Sequence, residues 1–139
     1  VATVDAQAMR GFASAAPVGR LATVGADGAP HVVPVCFVLV ADTAYSAVDH
    51  KPKRSRRLRR LANIEATGRA CLLVDEYHDD WTRLRWVRLD GHGRLVEDAA
   101  ERATALAALA TKYPQYAERT PQGPVLALEI ARWSSWSGS

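Results

Sequence analysis

The sequence predicts a mainly β, α+β fold, a small antiparallel barrel with peripheral helices. Three observations carry this reading. Most apolar runs have strand length and are bounded by turn residues. No succession of βα units points to a doubly wound parallel sheet. The helical patterns stand singly, in the order helix, three strands, helix, two or three strands, helix, strand. The 139 residues, 48% hydrophobic and 24% charged, suit one globular domain over 1–139.

The elements follow in order. Ala8, Met9, Phe12 and Ala13 recur at helical spacing between Asp5 and Ser14, with Thr3 or Asp5 to cap the start. Val18 to Val24 and the apolar run from His31 to Val40 flank Gly25-Ala26-Asp27-Gly28 and read as a hairpin. After a turn at Asp42-Thr43, Ala44 to Val48 forms a third strand ending at Asp49-His50. Pro52 disfavours helix at Lys51, so the next helix begins near Arg54 or Ser55; it carries Leu58, Leu61 and Ile64 on one face and stops at Gly68. Ala70 to Val74 reads as a strand buried on both faces, and Asp75 to Thr82 as a loop. Leu84 to Leu89 and Arg94 to Glu97 flank Gly91-His92-Gly93, a strand with a bend or bulge. Asp98 caps an alanine-rich helix that Tyr113-Pro114 ends; Pro124 to Ile130 is the last strand, before a tail with Trp133 and Trp136.

Composition narrows the function classes. No stretch has the length and apolarity of a membrane span, and no secretory pattern opens the chain, so a cytoplasmic protein without a membrane partner is expected. Cys36 and Cys71 sit in strand-like runs and read as reduced. His31, His50, His78 and His92 are scattered, His78-Asp79-Asp80 is explained by a loop, and no metal site is expected. Hydrolytic nucleophile patterns are missing too.

The net charge is only +3, yet Lys51, Lys53, Arg54, Arg56, Arg57, Arg59 and Arg60 crowd one strand-to-helix junction. A helix N-terminus and side-chain cations then meet at one point, which suits a phosphate. A solvated helix face is the bland alternative. Nucleic-acid binding is disfavoured, because the rest of the chain is near neutral and no aromatic-interleaved basic element or helix-turn-helix accompanies the run.

Two segments resemble the pyridoxamine 5'-phosphate oxidase superfamily of split β-barrel flavoproteins. Ala44-Tyr45-Ser46-Ala47-Val48-Asp49-His50-Lys51-Pro52-Lys53 is similar to that family's aromatic strand and phosphate-holding Ser-Arg-Lys turn, of which the final lysine is kept. Arg85-Trp86-Val87-Arg88-Leu89-Asp90-Gly91 resembles its Arg-Gln-Val-Arg-x-x-Gly strand, with Trp86 in place of Gln. These departures, with Asp80-Trp81, Lys112-Tyr113-Pro114-Gln115-Tyr116 and Gly123-Pro124-Val125, look more like the actinobacterial deazaflavin branch, whose members use coenzyme F420.

The resemblance implies an FMN-binding, flavin-reductase-like split barrel and a homodimer with cofactor sites at the subunit interface. The cofactor ring would lie along Val33, Pro34, Val35, Cys36 and Phe37, with Ala47 and Val48 behind it and Trp86 near it. Lys51, Lys53 and Arg57 would take the phosphate, and Arg56 or Arg60 a polyglutamate tail. For Cys36 core packing is preferred. The implied activity is an F420-dependent oxidoreductase that passes hydride to a small unsaturated substrate. An FMN-binding oxidase or reductase and a cofactor carrier without turnover are the alternatives. The cofactor supplies the hydride chemistry, and no catalytic side chain is named.

Overall fold

The computed structural model describes residues 2–49 and 58–138. Within them lie four α-helices and seven strands: α1 (Ala2–Ala15), β1 (Gly19–Val24), β2 (Pro30–Val35), β3 (Val38–Val40), β4 (Thr43–Ala47), α2 (Arg59–Thr67), β5 (Arg69–Glu76), β6 (Arg85–Leu95), α3 (Ala99–Lys112), α4 (Pro114–Glu118) and β7 (Val125–Ser137). The strands form one antiparallel sheet in the order β2-β1-β5-β6-β7-β4-β3.

The run from His31 to Val40, expected as one strand, divides at Cys36-Phe37 into β2 and β3. Those strands occupy opposite edges of the sheet, although only two residues separate them. Three Cα steps reach at most about 11 Å, so the sheet must curl until its edges nearly meet. This covalent corner is what makes the sheet a split barrel.

Inside the curl lies the larger core. Leu21, Val35, Leu72, Val74, Val87, Leu89, Leu126 and Leu128 alternate inward from their strands and, with Phe37 from the β2–β3 corner, meet Leu61 and Ile64 of α2 and Ala13 of α1. Asn63 Nδ2 donates to Thr23 Oγ1 at 3.0 Å, which satisfies the buried polar pair where α2 crosses β1. Gly68 ends α2 with φ 69°, and a side chain there would strike the His92 ring, so geometry and space both require glycine.

A second core forms outside the barrel. Asp98 caps α3 through Glu101 N at 2.8 Å, and the helix lays Ala105 and Leu109 over Tyr45, Ala47, Val125 and Ala127. Glu101 accepts from Tyr45 Oη at 2.7 Å and from Arg94 Nη1 and Nη2 at 3.0 and 2.7 Å, while Arg94 Nε reaches Glu129 at 2.6 Å. The arginine holds the Glu101 carboxyl down at about 2, and burial with the Glu101 contact pushes the Tyr45 phenol up to about 12.

Four further expectations change. The helix expected to begin near Arg54 or Ser55 starts at Arg59, because Leu58 before it is extended, at φ −70° and ψ 143°. The tail after Ile130 is strand: β7 runs to Ser137 against the whole of β6, so Trp133 and Trp136 belong to the sheet. The irregularity foreseen at the glycines falls between Asp90 and Gly91, where the extra residue is Ala131 of β7. That one residue reverses the parity of β7, turning Trp133 toward the core and Trp136 outward. Finally, β5 is buried on one face only, with Leu72 and Val74 inward and Cys71 and Leu73 part-exposed on the other.

Candidate functional site

Beyond the reach of α3, no helix among the described residues lines the outer face of β2, β1, β5, β6 and the end of β7. The register places Pro34, Arg20, Leu73, Arg88 and Ser134 in one row across five strands. A parallel row holds Val32, Ala22, Cys71, Asp90 and Arg132, and a third begins with Asp75, Trp86 and Trp136. These residues alternate with the core residues of the same strands.

The face is concave, a cleft of about 760 Å³. That lies within the common range for small-molecule sites. Ala22, Val32, Cys71, Leu73, Leu84, Trp86 and Trp136 give it apolar walls, and Arg20, Arg85, Arg88, Asp75 and Glu76 supply its charges. The ions are mutually paired: Arg20 with Asp75 at 3.8 Å, Arg85 with Glu76 at 2.7 Å, Arg88 with Asp90 at 3.1 Å. Glu76 also meets His78 Nε2 at 2.7 Å, and His78 and Arg85 hold its carboxyl below the usual range. Arg88 sits over the Trp86 ring at 5.8 Å. Burial raises the Cys71 thiol, with Asp90 adding to it.

The second part of the site is the β2–β3 corner. Tyr113 Oη donates to Pro17 O at 2.9 Å or to Phe37 O at 3.0 Å and accepts from Phe37 N at 3.0 Å. Lys112 Nζ donates to Phe37 O at 2.8 Å and lies 3.9 Å from the centre of the Phe37 ring. Its half-buried ammonium is brought down to about 8 by desolvation. Burial, and the Cys36 thiol beside it, push the Tyr116 phenol up to about 12. Arg60 faces Tyr116 and is lowered by desolvation, and its buried Nε has no hydrogen-bond partner among the described residues. The β4 end is pinned by Val48 N to Pro124 O at 2.9 Å and Gly123 N to Val48 O at 3.1 Å.

The residues expected to hold a cofactor are thus distributed. Val33, Val35, Phe37 and Val48 turn their side chains into the barrel core, and Ala47 lies in the core under α3. Pro34 is exposed on the cleft face, and Cys36 is half-buried at the corner. Trp86 lines the cleft, three strands from Pro34, roughly 14 Å at the ordinary strand spacing. Arg60 stands at the start of α2, while Lys51, Lys53, Arg56 and Arg57 lie outside the described residues. The expectation passed over Arg20, Val32, Cys71, Leu73, Arg88 and Trp136, all cleft residues. Their signal was strand parity, which becomes readable once the register is known. Among the described residues no cluster of His, Cys, Asp or Glu has the makings of a metal site, and no helix is long and apolar enough to cross a membrane.

A family model described as pyridoxamine 5'-phosphate oxidase matches residues 6–137. No curated protein matches the sequence. Among solved structures, a conserved hypothetical protein from Mycobacterium tuberculosis is 19% identical with a TM-score of 0.74, over 96% of this chain and 84% of that one. The heme storage protein from Vibrio cholerae is 16% identical with a TM-score of 0.72, over 97% and 93%. An FAD-binding protein from Mesorhizobium loti is 19% identical with a TM-score of 0.69, over 97% and 94%. At these identities the likeness is one of fold.

Proposed function

This chain belongs to the pyridoxamine 5'-phosphate oxidase family, and on that premise we propose that it is an F420-dependent oxidoreductase, acting as a homodimer on a small unsaturated substrate. The observation that carries the reading is a pairing of features on one fold: a roughly 760 Å³ cleft walled by Trp86 and Trp136, and a seven-cation junction after β4. A flat ring system suits the first and a phosphorylated, polyanionic tail the second. FMN carries one terminal phosphate, which two or three donors satisfy. A deazaflavin adds a phosphodiester and glutamate carboxylates, and the number of cations suits the longer anion.

In this reading the corner and junction of one protomer face the cleft of its partner. The exposure of Val32 at 61% and Trp136 at 48% favours such a covered face. Lys51, Lys53 and Arg57 bind the phosphate, Arg56 or Arg60 the tail, and the backbone of Val33–Phe37, with Pro34 and Cys36, supports the ring edge. Ala47 and Val48 hold the junction in place from behind. Trp86 of the partner subunit closes the ring side and excludes water. The chemistry such a cofactor supplies when bound is hydride transfer, and the chain's own residues bind, orient and desolvate. Free Cys36 and Cys71 fit a cytoplasmic setting.

Calorimetric titration with F420 and with FMN tests the proposal. Lys53→Ala with Arg57→Ala should weaken F420 binding by about 1.5–3 kcal/mol for each charged hydrogen bond lost. Arg59→Ala should weaken it less, and mainly at low salt. Tight FMN binding without measurable F420 affinity transfers the reading to the FMN oxidase or reductase. F420 binding without turnover of any substrate leaves a cofactor carrier. The heme and FAD named for structural neighbours serve as further ligands in the same titration.

A further inference from the structure

Five of the residues around the main cleft are formally charged, yet the surface they turn toward it is mainly apolar. The reason lies in their pairing. Arg20 of β1 reaches diagonally to Asp75 of β5 at 3.8 Å, Arg85 bonds Glu76, its register partner on β5, at 2.7 Å, and Arg88 bonds Asp90, the second residue along β6, at 3.1 Å. Arg132, opposite Asp90 on β7, joins that last pair at 3.7 Å. Every charged side chain of the lining thus has an opposite charge beside it. Each pair also draws on a different relation within the sheet: a diagonal, a direct cross-strand neighbour and a same-face position on one strand.

With the ionic heads turned to one another, the arginine stems join Val32, Leu73, Leu84, Trp86 and Trp136 as cleft wall. Arg88 adds a planar element, its guanidinium 5.8 Å from the centre of the Trp86 ring. A ligand ion entering this space would give up water against apolar groups and find no unpaired counter-charge in the lining among the described residues. It would have to separate an existing pair, and the partner so released would keep its own charge beside the same walls. An uncharged ring gains the apolar contact and leaves all three pairs intact.

We infer that the cleft selects an uncharged, ring-bearing small molecule and turns away anions and cations alike, with Asp75, Glu76 and Asp90 setting this preference by neutralising the arginines. The inference deepens the proposed function by naming the charge class of its substrate. It rests on the cleft being the ligand site, and not on which cofactor shares it.

The test takes the full chain and three probes on one ring system, naphthylmethanol, naphthoate and naphthylmethylammonium, all substituted at the same ring carbon and titrated by calorimetry at neutral pH. The alcohol should bind at least about tenfold more tightly than either ion, and the preference should persist from about 0.05 to about 0.5 M salt, because long-range charge does not set it. Asp75→Asn releases Arg20 while keeping the shape of its partner, and should raise the carboxylate relative to the alcohol by about threefold to tenfold. Arg20→Gln releases Asp75 and should raise the ammonium instead. The two shifts have opposite sign, so a general loosening of the protein, which weakens all three probes together, does not imitate them. Equal binding of the alcohol and either ion overturns the inference, as does an order of affinities that neither variant moves, or no binding of the alcohol. F420 and FMN titrations of the parent protein run alongside. Cofactor binding without charge discrimination removes the inference alone, and charge discrimination without cofactor binding removes the proposed function and leaves the selectivity of the cleft.

Discussion

The outer surface of the sheet has two halves. Over β4 and the start of β7, α3 covers two alanines, a valine and a tyrosine: Ala47, Ala127, Val125 and Tyr45 lie under Ala105 and Leu109, and the Glu101 network ties the helix to β4, β6 and β7. Over β1, β5 and β6 the outward positions hold arginines, tryptophans and medium aliphatics around an open cleft. Both halves belong to one sheet with the same inward core. Small residues let a helix approach and become stability, whereas large planar and charged residues keep it away and become a binding surface.

The comparison breaks most readily in the covered half. Leu109 is fully buried, and Leu109→Ala should cost about 2–5 kcal/mol in urea denaturation. A loss below about 1 kcal/mol would mean that α3 adds little to the fold.

Next in size is the network at the start of the same helix. Glu101→Gln should cost about 1–2 kcal/mol at neutral pH through its weakened bonds to Arg94 and Tyr45. Because the folded carboxyl lies at about 2 rather than near 4.5, its stabilisation is present above pH 4.5 and fades as the pH falls toward 2. The parent protein should therefore lose more stability than Glu101→Gln across that window, as acid titrations followed by circular dichroism would show.

In the open half the balance reverses. Trp86→Ala should change stability by less than about 1 kcal/mol, yet weaken cofactor binding by about threefold to tenfold, the value of one aromatic stack. A variant that unfolds readily and still binds normally would make Trp86 a core residue in function.

A further effect, read against pH, concerns Lys112 at the corner. Its ammonium releases its proton near pH 8 in the folded chain and near 10.5 when unfolded, so the unfolded state binds more protons between those values. Stability of the parent protein should rise with pH across that window relative to Lys112→Met, in chemical denaturation at stepped pH. Parallel profiles would place the ammonium in water.

Much of this was legible in the residues themselves. The helix stop at Gly68, the Asp98 cap, the hairpin at residues 25–29 and the irregular strand at Gly91 are local effects of backbone freedom and side-chain hydrogen bonds, and local sequence is enough to specify them. The family resemblance likewise rested on contiguous segments, and the family match spans them. The cleft was not legible, because its rows are assembled from β2, β1, β5, β6 and β7, whose residues are brought together by register alone.

What the sequence by itself determined was the kind of chain this is: strands of alternating character, two well-marked caps and a dense cationic junction. Tertiary structure alone decided that β2 and β3 part at Cys36-Phe37 to opposite sheet edges, that Ala131 turns Trp136 outward, and that the half of the sheet left open is the one bearing arginines and tryptophans. The physical reason is range. Caps and turns act over a few residues, whereas sheet order and strand parity are settled by which distant apolar faces can close on one another.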